Sequence, residues 1–265
     1  MKLTVIIPIY NEAATCSQLI EKVKSVPIQK QIIVVDDCST DGSGDILTKI
    51  DGIELIQHQL NRGKGSAVQS ALPHIKGDFV VLQDGDLEYN PADYEKMLNQ
   101  LENDSADVVY GSRWLGKTSS LSYHTIGNRF ITWFANLVTG AALTDMASCY
   151  KMMPAKIFLA LDIRSAGFGL EAEITAKVFK NKLRVIEVPI SYEPRTKSEG
   201  KKLRLTDGLI ACWTLLKYTL LLHYEAIKEF DTFQMVESNK NKIFRYKVIN
   251  NNKKIILNKV ILIIK

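Results

Sequence analysis

The segment Phe79–Glu88, FVVLQDGDLE, sets three carboxylates, Asp84, Asp86 and Glu88, at alternate positions directly behind an apolar run. Two acids one residue apart, on a chain leaving a strand, can face one divalent cation. A hard cation such as Mg2+ or Mn2+ also keeps coordination places for phosphate oxygens. Gly85 between them lets a ligand approach the backbone closely. The competing role of such acids is to hold turn amides and cap a following helix, here one starting near Pro91. Their place straight after a strand favours the cation. A second pair, Asp36-Asp37, precedes Ser39, Thr40 and Asp41. Asp41 suits a helix cap, and Asp37 suits a hydrogen-bond acceptor for a nucleotide base or ribose. The stretch NRGKGSA is neither G-x-x-x-x-G-K-[ST] nor a full G-x-G-x-x-G. Gly63 and Gly65 are therefore expected to let a helix start close to the sheet, with Lys64 or Arg62 near a phosphate. Arg113, Arg129, Arg195, Lys197, Lys201 and Lys202 offer anion-binding chemistry, Arg as a rigid fork and Lys as a point charge. Lys197 and Lys202 taken singly fit a solvated loop. His58, His74, His124 and His223 have no ligand spacing and read as structural or exposed, and no Ser-His-Asp or Cys-His pattern stands out.

Polar clusters of this kind need elements that bring them to one place. Strand patterns at Leu3–Ile9, Gln31–Val35, Ile53–Ile56, Asp78–Leu82 and Asp107–Tyr110 alternate with helical ones. Glu12–Val26 carries an apolar stripe through Ala13, Cys16, Leu19, Ile20 and Val23. Pro91 suits the first turn of a helix that buries Tyr94, Met97, Leu98 and Leu101. Such alternation predicts an α/β fold with a largely parallel central sheet and helices on both faces. Ligands of these sheets bind outside the carboxyl ends of the strands. Pro8–Glu12, Asp36-Asp37, Asp84–Asp86 and Gly111–Arg113 all sit at such ends. Beyond them, helices are expected over 124–143, 166–181 and 206–227, with a strand over 183–192 and a basic loop, EPRTKSEGKKLRL, between.

Charge narrows the class. The 265 residues hold 34 Lys and Arg against 29 Asp and Glu. Eight of the basic residues and none of the acids lie between Ser238 and Lys265, so residues 1–237 carry a net −3. The basic tail does not make the body a nucleic-acid binder. Composition shifts to Lys, Asn and Ile near Glu237, which divides the chain into a main domain over 1–236 and a basic, low-complexity tail over 237–265. Cys16, Cys38, Cys149 and Cys212 are far apart and form no C-x-x-C, which suits a reduced, cytoplasmic setting. The start MKLTVIIPIYNE, broken by Pro8 and Asn11, does not read as a signal peptide. The longest uncharged apolar segment, Phe130–Thr144, falls short of the ~17–25 residues of a spanning helix.

In order along the chain stand VIIPIYNE, IIVVDDCSTDGS, NRGKGSAVQSAL, GDFVVLQDGDLEYNP, DVVYGSR, GNRFITWFANLVTG, LTDMASCYKM, FGLEAEITAK and VPISYEPRTKSEGKKL. Together they resemble family 2 glycosyltransferases, in particular the polyprenyl-phosphate sugar transferases typified by dolichyl-phosphate mannosyltransferase, over about residues 1–220. The resemblance implies a GT-A fold, a nucleotide-sugar donor such as GDP-mannose or UDP-glucose, and inverting transfer to a polyprenyl phosphate. It implies that Pro8, Tyr10, Glu12, Val35 and Asp37 hold the nucleotide. It places Asp84, Asp86 and Glu88, with Gly85, at the Mg2+ or Mn2+ and diphosphate. Arg113, Arg129, Arg195, Lys64 and Lys201 would surround the donor diphosphate and acceptor phosphate. Three departures stand out: Cys38 where Gly is usual, Gly85 where Ala is usual, and Ala147-Ser148 in place of Glu-Thr beside Asp145.

An acceptor phosphate is already an anion and needs no strong base. A soluble or cell-wall saccharide acceptor would need one, and Asp145 is then the candidate. A non-catalytic nucleotide-sugar-binding protein is the further alternative, and a nicotinamide-dependent oxidoreductase is weakened by the missing G-x-G-x-x-G. A lipid acceptor would call for peripheral membrane contact on the cytoplasmic side. Phe130, Trp133, Phe134, Leu137 and Val138, or Leu209–Leu222, could supply it. Packing on the sheet, or pairing with a second subunit through 206–227, are the other uses of those faces.

Overall fold

Apolar runs too short for helices and rich in Ile and Val form the strands, as β propensity dictates. The computed structural model describes residues 3–115, 123–167, 169–195 and 205–221, together with three strands between 232 and 257. In chain order the elements are β1 (Leu3–Ile9), α1 (Cys16–Ser25), β2 (Lys30–Asp36), α2 (Ser43–Leu47), β3 (Glu54–Gln57), α3 (Lys64–Ala71), β4 (Phe79–Leu82), α4 (Tyr94–Glu102), β5 (Val108–Ser112), α5 (Tyr123–Thr139), β6 (Lys151–Pro154), α6 (Ala155–Ala160), α7 (Leu170–Lys180), β7 (Val185–Pro189) and α8 (Leu205–Leu216). Seven strands form one sheet in the order β3-β2-β1-β4-β6-β5-β7. Every pairing is parallel except those of β6, which runs antiparallel to β4 and β5.

The order matters for function. The chain winds outward from β1 to β2 and β3, then crosses back so that β4 lies on the other side of β1. This reversal is a topological switch point, where loops diverge and leave a crevice at the strands' carboxyl ends. Glu12 follows β1 there, and Asp84 and Asp86 follow β4. The core is the sheet itself: Val5, Ile6, Ile7, Ile33, Val34, Val80, Val81, Val108 and Val109 are fully buried. Helices add their apolar stripes, Cys16, Leu19, Ile20 and Val23 from α1 and Tyr94, Met97, Leu98 and Leu101 from α4.

Strand β6 and helix α6 have no counterpart in the sequence expectation. Lys151-Met-Met-Pro is short and holds a lysine and a proline, so its pattern does not read as a central strand. Tertiary contacts override it, because Lys151 is buried and its ammonium donates to the carbonyls of Met146 and Ser148. Helix α8 passes into a wider π turn over Lys217–Leu221, and the rest of the helix expected over 206–227 lies outside the described residues.

The chain divides into two compact units, Met1–Tyr224 and Glu225–Lys265. The second holds an antiparallel sheet in the order β10-β9-β8, from β8 (Thr232–Glu237), β9 (Phe244–Asn250) and β10 (Lys253–Leu257). The compositional shift near Glu237 therefore falls at the end of β8, inside this unit.

Candidate active site

The loops after β1 and β2 are stitched together by side chains that cap amides. Asn11 takes a left-handed φ of 53° and accepts from the Thr40 amide at 2.8 Å, while Ser39 Oγ accepts from the Asn11 amide and Ser43 Oγ from the Glu12 amide, both at 2.9 Å. Glu12 is thereby held at the β1 end. Pro8 is half-buried and Tyr10 is exposed at that edge. Val35 is not on the wall: it is fully buried and lies within the sheet between Pro8 and Ile56. Asp37 is also withdrawn. One of its oxygens pairs with His58 Nδ1 at 2.6 Å and accepts from the Arg62 amide at 2.9 Å, and the other accepts from the Gly63 amide at 2.7 Å. Asp37 thus anchors the NRG turn, with His58 as its structural partner.

The three carboxylates that the sequence set on one cation diverge in the fold. Asp84 pairs with Lys64 at 2.5 Å, and Lys64 also reaches Glu171 at 2.6 Å. Burial alone would raise Asp84 and lower Lys64, but their attraction reverses both shifts and keeps the pair ionised. Asp86 meets Arg195 Nη2 at 2.6 Å, and Glu12 meets Arg195 Nη1 at 2.9 Å. Burial, together with the like charges of Asp84 and Glu88, still pushes Asp86 up to about 7, because one arginine does not offset them. Glu88 is a loop anchor: its oxygens accept from the Arg195 amide and from the Tyr192 hydroxyl, each at 2.9 Å. That use leaves it bound to the segment 192–195. Among the described residues no group of three His, Cys, Asp or Glu side chains is arranged to hold a metal ion.

Arg113 follows β5, and Asp145 lies in the loop that leads back into β6, so the antiparallel strand brings them together. They form a two-pronged pair, Nε to Oδ2 at 2.7 Å and Nη2 to Oδ1 at 2.8 Å, and Asp145 is fully buried. Its Oδ2 also accepts from the Arg113 amide at 3.0 Å. Asp145 is a structural counter-charge here, with its carboxylate turned to Arg113 rather than to a base's task. Arg129 lies on the exposed side of α5. Lys197, Lys201 and Lys202 lie outside the described residues.

Sequence patterns alone gave no role to several residues that build this edge. Glu171, in the first turn of α7, holds Lys64. Fully buried Glu173 accepts from the Arg164 and Ser165 amides and pairs with Lys177. The Glu173–Lys177 spacing of four was a visible signal, although such pairs usually face water. Two of the three departures from the family pattern also resolve. Cys38 takes a left-handed φ of 64°, the conformation that makes Gly usual there. At Gly85 an added Cβ would stand 2.6 Å from Ile9 Cδ1, so glycine suits this chain's Ile9.

A mostly parallel sheet with a switch-point crevice, acids at the β1 and β4 ends and Arg195 between them has the architecture of the GT-A fold. The solved glucosyl-3-phosphoglycerate synthase from Mycobacterium tuberculosis, in complex with Mn2+, UDP and glucosyl-3-phosphoglycerate, shares the fold with a TM-score of 0.64 at 17% identity, over 96% of this chain and 89% of that one. Residues 4–161 match glycosyl transferase family 2, and the chain belongs to that family. It is 29% identical over 226 residues to the low-salt glycan biosynthesis hexosyltransferase Agl6 of Haloferax volcanii, which covers 83% of this chain and 53% of that protein. The chain thus spans about half the length of that relative. It is 25% identical over 246 residues to the undecaprenyl-phosphate mannosyltransferase of Micrococcus luteus, covering 86% of this chain and 98% of that protein.

Proposed function

We propose that this family 2 glycosyltransferase moves a hexose from a nucleotide sugar, GDP-mannose or UDP-glucose, to a polyprenyl phosphate with inversion. The observation that carries the choice of acceptor is the Arg113–Asp145 lock. A hydroxyl acceptor needs a base, and the candidate base is buried and spent on an arginine. A phosphate acceptor arrives with its charge already in place. The undecaprenyl-phosphate mannosyltransferase among the relatives supports the same acceptor class.

In this mechanism a phosphate oxygen of the acceptor attacks the anomeric carbon from the face opposite the diphosphate. The new carbon–oxygen bond forms as the old one breaks, and its electron pair leaves with the nucleoside diphosphate. The acceptor and the diphosphate repel each other, so cationic side chains must align them. In this reading Arg195 and Lys64 serve the donor side, and Arg129, exposed on α5, serves the incoming acceptor. The donor chemistry of Asp84 and Asp86 fits a divalent cation that brings phosphate ligands with it. Both are hard oxygen donors, and Asp86 is under-neutralised in the protein alone. Bound there, Mg2+ or Mn2+ would offset the charge of the diphosphate leaving group.

A lipid acceptor also fits the surface. Helices α5 and α8 lie side by side, with Gly208 against Ile131. They expose Ile126, Phe130, Trp133 and Leu137 on one and Leu209, Ile210 and Trp213 on the other, with Leu220 exposed in the π turn that follows. Paired helices bearing apolar residues and tryptophans suit the plane of a bilayer interface. No helix among the described residues is long and apolar enough to cross a membrane. Peripheral contact on the cytoplasmic side is the arrangement we infer, and the four free thiols suit that side.

The test is transfer of label from GDP-mannose or UDP-glucose, with Mg2+ or Mn2+, into the lipid phase of a polyprenyl phosphate mixture. Label is expected in the lipid with one donor, and Asp84→Asn should abolish it. Full transfer in EDTA would overturn the cation's part. Label reaching only a soluble saccharide would overturn the lipid acceptor.

A further inference from the structure

Arg195 occupies the acidic pocket in a way that the transfer reaction itself does not require. Its guanidinium lies among Glu12, Asp86 and Glu88, at 2.9 Å from Glu12 Oε2 and 2.6 Å from Asp86 Oδ2. Glu88 Oε1 is 3.7 Å from Nε, beyond hydrogen-bond reach, and this buried N–H has no acceptor. Among the described residues the guanidinium is thus the cation set against Glu12 and Asp86, with Glu88 beside it, and one of its donors is unused. An unmade buried hydrogen bond is costly, so this arrangement is not the optimum for the arginine.

The main chain of Arg195 is fixed independently of its side chain. Glu88 accepts from the Arg195 amide at 2.9 Å and from the Tyr192 hydroxyl at 2.9 Å, and the Glu193 amide donates to the Glu88 carbonyl at 2.9 Å. The side chain can therefore leave Asp86 while its root stays at the crevice. Lys64 differs: it starts α3 and is clamped between Asp84 and Glu171.

We propose, on the footing of the cation reading above, that Arg195 is a resident counter-cation which a divalent cation displaces from Asp86, freeing the guanidinium for the donor diphosphate. The same residue then has opposite effects on two ligands. It competes with the cation in the donor-free protein, and it assists the diphosphate once the cation is bound. A residue that only held the fold together would move both affinities the same way.

The experiment measures Mn2+ binding to the donor-free protein by the electron paramagnetic resonance of free Mn2+. It then measures UDP and GDP binding by calorimetry at saturating Mn2+. Arg195→Gln should tighten Mn2+ about tenfold and weaken the preferred nucleoside diphosphate at least tenfold. Arg195→Lys keeps the charge and should stay within about twofold of wild type for Mn2+. Arg184→Gln, just before the amino end of β7 and away from the strands' carboxyl ends, should change neither. Mn2+ binding that Arg195→Gln leaves unchanged or weakens would overturn the exchange while the cation reading stands. Absence of Mn2+ binding to wild type even with UDP or GDP present would overturn both.

Discussion

Asp145 and Arg113 show how a side chain's use depends on what it faces. An aspartate beside a transferase crevice invites the role of base, yet this one is fully buried and bidentate to a guanidinium. Breaking such a pair from one side strands the other charge, at a cost of roughly 3–5 kcal/mol. Asp145→Asn is therefore expected to lower the urea midpoint by an amount equivalent to about 3 kcal/mol. If stability held while turnover alone collapsed, Asp145 would be a base after all. Asp37 and Glu88 follow the same logic. Each was legible as an acid at a strand end, and each is consumed by amides and side chains far off in sequence, Arg62 and Gly63 for one and Tyr192 and Arg195 for the other. No local pattern carries that information, because those partners are 25 to 107 residues away.

Helix α3 illustrates what the elements demand. Gly63 and Gly65 were expected to bring its start close to the sheet. Helix α3 does pack on β1 and β2, and the two glycines also close its start on the segment before α7. A Cβ on Gly65 would stand 1.9 Å from the Ser165 carbonyl oxygen, and one on Gly63 would stand 2.6 Å from that of Ala166. The Ser66 amide donates to the same Ala166 carbonyl at 2.9 Å, and Glu173 holds the segment from the other side. This packing sets Lys64 between Asp84 and Glu171. Gly65→Ala should cost at least ~2 kcal/mol through overpacking and weaken nucleotide binding with it. Gly127→Ala on α5 meets nothing within 4 Å and should be neutral or stabilising by up to ~1 kcal/mol. Equal denaturation curves for the two variants would refute the close approach.

At the scale of the molecule, the exposed faces of α5 and α8 lie in one unit with the switch-point crevice, which suits the proposed work at a lipid surface. Trp133 and Trp213 are 57% and 59% exposed, more than a core or an ordinary surface asks of tryptophan. Replacing both with alanine should reduce flotation with anionic vesicles about tenfold or more. Unchanged flotation, or a wild type that never leaves the soluble fraction, would count against the bilayer and favour a second copy of the chain. The sequence by itself determined the alternation of strands and helices, the mostly parallel sheet and the collection of acids and arginines at strand ends, since those depend on local periodicity and on a sheet's polarity. Tertiary structure alone decided the pairing: β6 entering antiparallel, Asp145 closing on Arg113, Lys64 shared by Asp84 and Glu171, and Arg195 seated among three carboxylates. Ionic partners are chosen by proximity in space and by the need to neutralise buried charge. Neither is written in the spacing of the residues along the chain.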